Sequence, residues 1–293
     1  MSPINAFTVD VEDYFQVTAF EKHIARSQWD QYESRVVANT QRILRQLSRH
    51  NVQATFFVLG WVADRYPQLV HEIHRSGHEI GSHSYWHRLI YDLSPEEFRD
   101  DLRRSRDVLE NLIGTPVTAY RGPSFSITKR SLWALDILIE EGFCIDSSVF
   151  PIHHDRYGIP GAERSIHTLR TSAGQLWEFP PSVVRFAGFN LPVSGGGYFR
   201  LYPFSLTKYC LTRLNHRRRE AFMFYVHPWE IDPEQPRLGV GSRMSRFRHY
   251  VNLSSTQSKL DALLEKFRFG RLCDVIQQAE DSSLQEPVAS YIF

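Results

Sequence analysis

The chain has 293 residues, 42% of them hydrophobic and 23% charged, with 34 Lys and Arg against 33 Asp and Glu for a net charge of +1. These are the values of a folded globular protein long enough for one large α/β domain, and they exclude an extensively disordered chain. The balanced charge offers no footprint for nucleic acid or an anionic membrane as the main partner. The longest apolar run, ATFFVLGWVA, is about half of what a bilayer span needs, so no transmembrane segment is expected. Cys144, Cys210 and Cys273 are too few and too widely spaced for a disulfide framework or a cysteine zinc site. The N-terminus MSPINAFTVDVED lacks the pattern of a secretory signal. Both features lead to the expectation of a cytoplasmic protein.

AFTVDVEDYF reads as a strand that ends in acids, with Asp10 and Glu12 on one side of it and Asp13 joining them only if the chain has already turned. Val37, Ile43, Leu44 and Leu47 are spaced for a helix between Ser34 and His50, and ATFFVLG follows as a buried second strand. YPQLVHEIHRSG is a helix with Pro67 in its first turn and Gly77 past its end, and HEIGSH is a third strand. GSHSYWH then sets His83 and His87 four positions apart, near enough on a turn for both imidazoles to reach one cation, or else a pair of solvated histidines. SPEEFRDDLRRSRDVLENLIG is a helix opened by Ser94, Pro95 and Glu97 and closed by Gly114. A short strand ends at Arg121 before Gly122 and Pro123, SITKRSLWALDILIEEGF is the next helix, and FCIDSSVFP is a strand ending in Asp146.

This alternation of strand and helix predicts a parallel sheet whose strand ends gather on one face. Beyond Pro151 the chain turns to Gly, Pro and aromatic loops. LWEFPPSVV and AFMFYVHPWEID are read as strands, the second delivering His227 and Trp229 to a turn, and STQSKLDALLEKFRFG as a final helix. Two basic runs, at 214–220 and 241–249, are solvated helix faces or contacts for an anionic substrate. No linker separates a second domain, so residues 1–293 are expected to form one domain.

Taken in order, TVDVEDYF, GSHSYWH, YRGPSFS, CIDSSVF and FYVHPWE resemble the motif series of the polysaccharide deacetylases, the carbohydrate esterase family built on the NodB homology domain. The resemblance spans about residues 5–230. GGGYFR and FRHYVNL extend the likeness to an exopolysaccharide-locus subgroup associated with exosortase systems, with a C-terminal extension over about 231–293. It implies a distorted (β/α) barrel of seven strands with C-terminal elaborations. It also implies Asp10 as catalytic base, His83 and His87 as metal ligands with Glu12 or Asp13, Arg121 as the residue orienting the base, Asp146 as the fourth-motif acid and His227 as general acid. Ser124 and Tyr225 depart from the pattern, standing where relatives often carry an aromatic residue and a leucine.

The implied reaction is removal of N-acetyl groups from amino sugars of a polysaccharide or its precursor, with one divalent metal ion, zinc by its ligands, as cofactor. The chemistry calls for these residue types. An amide needs a Lewis acid, a base for water and an acid for the departing amine, and Asp146 is the carboxylate proposed to keep His227 charged. A buried structural ion pair is the competing reading for Arg121 and Asp146, and a core histidine for His227. Trp86, Phe125, Tyr198 and Trp229 are candidate sugar-stacking rings. Arg200 in GGGYFR is a candidate contact for an anionic group, with that segment as a lid over the site. A hydrolase of small cyclic amides, with a closed pocket, and a non-catalytic glycan-binding protein are the alternatives.

Overall fold

The computed structural model describes residues 3–283 and 290–292 of the chain. The ends of the expected 1–293 domain and of its extension therefore fall in part outside the described residues, as do the side chains of Arg217 and Arg218 in the first basic run. Strand β1 (Asn5–Val11) leads through helix α1 (Val36–Arg49) to β2 (Thr55–Val58), then through α2 (Gly60–Arg65) and α3 (Pro67–Arg75) to β3 (Glu79–Ser82). Helix α4 (Pro95–Ile113), β4 (Ala119–Tyr120), α5 (Trp133–Glu140) and β5 (Ile145–Asp146) complete the alternating part. A hairpin of β6 (His167–Thr171) and β7 (Gly174–Glu178) follows, then a second of β8 (Val183–Phe186) and β9 (Phe189–Pro192). After α6 (Gly196–Leu201) and α7 (Phe204–Arg213), β10 (Met223–Val226) returns to the sheet. The chain ends in α8 (Arg243–Tyr250), α9 (Leu253–Lys266), β11 (Phe269–Gly270), α10 (Leu272–Ser283) and β12 (Ser290–Ile292).

The sheet runs in the order β10-β1-β2-β3-β4-β5-β7-β6-β12, with β11 also paired to β1, and every pairing in it is parallel except that of β6 with β7. An α/β fold with a mostly parallel sheet is what the alternation predicts. The count is not seven strands, and the sheet is not a closed barrel, because the described strand pairings do not join β10 to the far end. Single contacts stand in for a ladder there: the Met223 amide donates to Ser182 Oγ at 2.9 Å and the Tyr225 amide to the Ser194 carbonyl at 2.7 Å. Gly195 makes that approach possible, since at φ 137° any Cβ would lie 1.9 Å from the Tyr225 carbonyl oxygen.

Sequence and structure agree best where local signals are strongest. Helix α4 begins with a capping box between Ser94 and Glu97 and ends at Gly114 with φ 70°. LWEFPPSVV is split into β7 and β8 instead of forming one strand, because Pro180 and Pro181 offer no amide hydrogens to a ladder. GGGYFR brings Gly196 and Gly197 to the wall of a cleft. It opens α6, whose Phe199 and Arg200 are buried. Among the described residues no helix is long and apolar enough to cross a membrane.

Candidate active site

The C-terminal ends of β1, β3 and β4, with β2 between the first two, lie along one edge of the sheet and set the site. Alternation along β1 puts Thr8 and Asp10 on one face, and the Arg121 guanidinium at the end of β4 donates to both, at 2.8 Å and 2.6 Å. Arg121 is fully buried. Its other donors meet the Ser147 carbonyl (3.3 Å), Ser147 Oγ (2.9 Å) and Met223 Sδ (3.3 Å), and its guanidinium carbon lies 4.2 Å from the Phe57 ring centre. The guanidinium is thus paired with Asp10, and not with Asp146 as the competing reading had it.

Glu12 sits just past the end of β1. Its Oε2 lies 2.6 Å from His87 Nε2, yet in an orientation that makes no hydrogen bond, and that oxygen is buried without another partner among the described residues. Oε1 accepts from the Trp229 indole at 3.2 Å. His83 extends the β3 ladder, and its Nδ1 lies 2.7 Å from the Arg121 carbonyl. A carbonyl only accepts, so this bond puts the proton on Nδ1 and leaves Nε2 with a free lone pair. Burial, with Asp10 partly opposing it, pulls His83 down to about 4, which keeps it neutral. Burial disfavours charge on Glu12 as well, but His87, His227 and His83 outweigh it and hold the carboxyl at about 2. Glu12, His83 and His87 offer donor atoms within 4.8 Å of one another, the one such cluster among the described residues. Two imidazoles and a carboxylate whose Oε2 has no hydrogen-bond partner fit a divalent cation.

The loop from His83 to His87 is latched from several sides. Asp101 of α4 accepts from the amides of Tyr85 (2.7 Å) and Trp86 (3.2 Å), and Arg26 donates to the carbonyls of Trp86 (2.7 Å) and His87 (3.3 Å). Ser84 and His87 hold left-handed φ of 64° and 51°, an unfavourable conformation for such residues that these contacts sustain.

Opposite the metal cluster, His227 follows β10. Its Nε2 lies 3.8 Å from Asp10 Oδ2 and 3.7 Å from Glu12 Oε1, and its Nδ1 is 3.0 Å from Glu230 Oε2. Burial opposes its charge, but Glu230, then Glu12 and Asp10, raise the imidazole to about 9. Glu230 is held at about 2 against burial by Arg200 and His227. The order Arg200, Glu230, His227 is a row of alternating charges that the sequence reading missed. Its local signal was HPWE, where a turn brings positions i and i+3 together.

Several expected site residues lie elsewhere. Asp13 is not a ligand: it accepts from Ser34 Oγ and the amides of Arg35 and Val36, capping the start of α1, and from the Tyr14 amide. Asp146 does not orient His227. It is bonded to Ser148 and faces Glu178, its register partner on β7. Arg200 is buried with Nε 2.8 Å from Glu230 and Nη1 on the carbonyls of His249 and Val251, which leaves its charge committed within the protein. Trp86 packs against Trp29 and Tyr85, and Tyr198 against Tyr202, and neither ring lines the cleft. Phe125 and Trp229 do line it, the latter stacked between His227 and His249 at 5.3 Å and 4.3 Å. The cleft, about 230 Å³, runs from Asp10, Glu12 and His227 to the loop at His154–Tyr157 and to α8.

Residues 21–138 match the polysaccharide deacetylase family model, and residues 147–277 match a domain of unknown function (DUF3473). A peptidoglycan-N-acetylglucosamine deacetylase of Bacillus cereus is 36% identical over 98 residues, which is 33% of this chain and 36% of that protein. The peptidoglycan-N-acetylmuramic acid deacetylase PdaC of Bacillus subtilis is 33% identical over 104 residues, 35% of this chain and 22% of that protein. The chain thus spans about a third or less of the length of these relatives. Among solved structures, a Mycobacterium smegmatis protein assigned as a polysaccharide deacetylase superposes over 100% of this chain and 93% of its own with a TM-score of 0.61 at 19% identity. PuuE allantoinase does so over 98% and 92% with a TM-score of 0.62 at 12% identity, and at such identities these two likenesses speak for the fold alone. The family model and the curated relatives support the polysaccharide deacetylase family. They do not reach the exopolysaccharide subgroup.

Proposed function

We propose that the chain is a metal-dependent hydrolase that removes N-acetyl groups from amino sugars of a polysaccharide or its precursor, working as one domain in the cytoplasm. The observation that carries this reading is the buried Glu12, His83 and His87 set lying beside Asp10 and His227, with all of them but His83 lining one cleft. A divalent ion in that set, zinc by its ligands, supplies Lewis acidity and lowers the pKa of water. Asp10, held by Arg121, is the group that takes a proton from the attacking water. His227, charged through Glu230, is the group that gives one to the departing amine. Phe125 lines the cleft and offers apolar surface to a sugar ring, whereas the Trp229 ring is already stacked on His227 and His249. The cleft's run past the catalytic groups to α8 favours a glycan over a small cyclic amide in a closed pocket.

Metal analysis together with acetate release from chitotetraose tests this. One divalent ion per chain and measurable acetate are expected for the wild type, and loss of the metal for His83→Ala and His87→Ala. Asp10→Asn should keep the metal while turnover falls about 10²- to 10⁴-fold, the range for a lost general base. Full metal stoichiometry in both histidine variants, or no acetate from any N-acetylated glycan, would overturn the reading.

A further inference from the structure

The far end of the cleft is built unlike the catalytic end. Arg156, on the loop after β5, and Arg248, on α8, both line it, both are exposed, and among the described residues neither guanidinium lies within ion-pair distance of a carboxylate. What sets them apart from other arginines without an acid partner is that both line this cleft, whereas Arg99, Arg103 and Arg106 gather around Glu141. Between the two elements, His154 stacks on Tyr157 with ring centres 3.9 Å apart and planes 13° apart, and Tyr157 stacks in turn on buried Phe150 at 5.8 Å. Both arginines act on His154 and help to lower its pKa, though burial does most and Asp155 opposes it. The acids facing this end are Asp155, whose Oδ1 lies 2.9 Å from His154 Nδ1, and Glu21, which acts on Arg156 only at longer range. The carboxylates Asp10, Glu12 and Glu230, which also line the cleft, are each already engaged with Arg121, His87 or Arg200.

From this geometry we propose that Arg156 and Arg248, beside the His154–Tyr157 stack, form a subsite for an anionic group of the substrate, a carboxylate or a phosphate carried next to the N-acetylated sugar. The inference rests on the deacetylase reading and narrows its substrate class. Two unpaired guanidiniums on separate elements can grip one anion from two directions, and planar forked donors suit both a uronate and a phosphate. Placing them at the distal end of the same cleft sets the anion apart from Asp10 and Glu12, which would repel it. Arg248 belongs to the basic run that the sequence marked out, whereas the buried Arg200 does not serve this purpose.

The test is equilibrium binding to catalytically silenced Asp10→Asn protein, with wild-type steady-state kinetics beside it. Three probes are compared: hyaluronan tetrasaccharide, which carries glucuronate, UDP-N-acetylglucosamine, which carries phosphate, and neutral chitotetraose. We expect one anionic probe to bind at least about tenfold more tightly than chitotetraose, with a preference that shrinks as salt is raised. In Arg156→Ala/Arg248→Ala the ratio of anionic to neutral affinity should collapse toward one, and in Arg156→Lys/Arg248→Lys it should be partly kept. The anionic probe that shows the preference identifies the group as carboxylate or phosphate. No preference for either probe, or a preference undiminished in the double alanine protein, overturns the subsite. Acetate release from chitotetraose without any anionic preference sinks the subsite and leaves the deacetylase reading standing. An arginine-dependent preference without acetate release from any probe does the reverse.

Discussion

At the scale of single residues, the buried acids divide by what their neighbours do. Glu12 and Glu230 face histidines and an arginine and are held ionised, while Asp146 and Glu178 face each other at the ends of adjacent strands. Burial raises both of the latter carboxyls, and the Asp146 charge pushes Glu178 well above its ordinary 4.5, so Glu178 favours the form that carries its proton. The sign of the linkage follows. A folded-state value above the unfolded one gives a contribution that is fully present below pH 4.5 and is lost as pH rises through the raised value. Glu178→Gln supplies an amide hydrogen in place of that proton. Its melting temperature should therefore fall less steeply between pH 6 and pH 9 than that of the wild type, and parallel slopes would show that the pair holds no proton. The aspartate itself was legible from the strand pattern. Its partner was not, because β7 reaches β5 only through a hairpin placed by tertiary packing.

Among the elements, the turn from β3 into α4 shows why spacing named the histidines but not their support. Both candidate ligands stand out as H-x-x-x-H, yet what sets their separation is Asp101, a helix residue whose carboxylate holds the amides of Tyr85 and Trp86. In sequence it is one acid among several in DDLRRSRD. Asp101→Ala should weaken metal affinity about 10- to 100-fold, as loss of outer support does at metal sites, with the far-UV circular dichroism retained. Titration with zinc against a chelator measures it, and unchanged affinity would mean that the loop holds its shape without the carboxylate.

For the whole molecule, the strand order was readable in outline because parallel strands joined by helices have few arrangements, but its closure was not. Nothing in LWEFPPSVV or VSGGGYF states that a serine hydroxyl and a glycine approach will bridge β10 where a strand was expected. Nor does the last helix declare its partners. Leu272, Val275 and Ile276 of α10 are buried in one cluster with Ala6, Phe57 and Met223, and the Leu272 amide donates to Thr55 Oγ1 at 2.7 Å. Burial of those three side chains is worth about 5–8 kcal/mol, a large share of the roughly 5–15 kcal/mol that holds a domain folded. A chain ending at Arg271 should therefore lose its cooperative urea transition, and a midpoint like that of the full chain would count against this role for α10.

The place of β1 in the sheet also has a bearing on time. Its neighbours are β2 (Thr55–Val58), made soon after it, and β10 (Met223–Val226), made much later, and the two register with β1 over the same residues, Thr8 and Val9. A nascent chain thus exposes Glu12, His83 and His87 long before His227 exists. The strand that carries Asp10 must wait with one edge bare until the strand that leads to His227 arrives, so the polar groups of the cleft come together only after that interval.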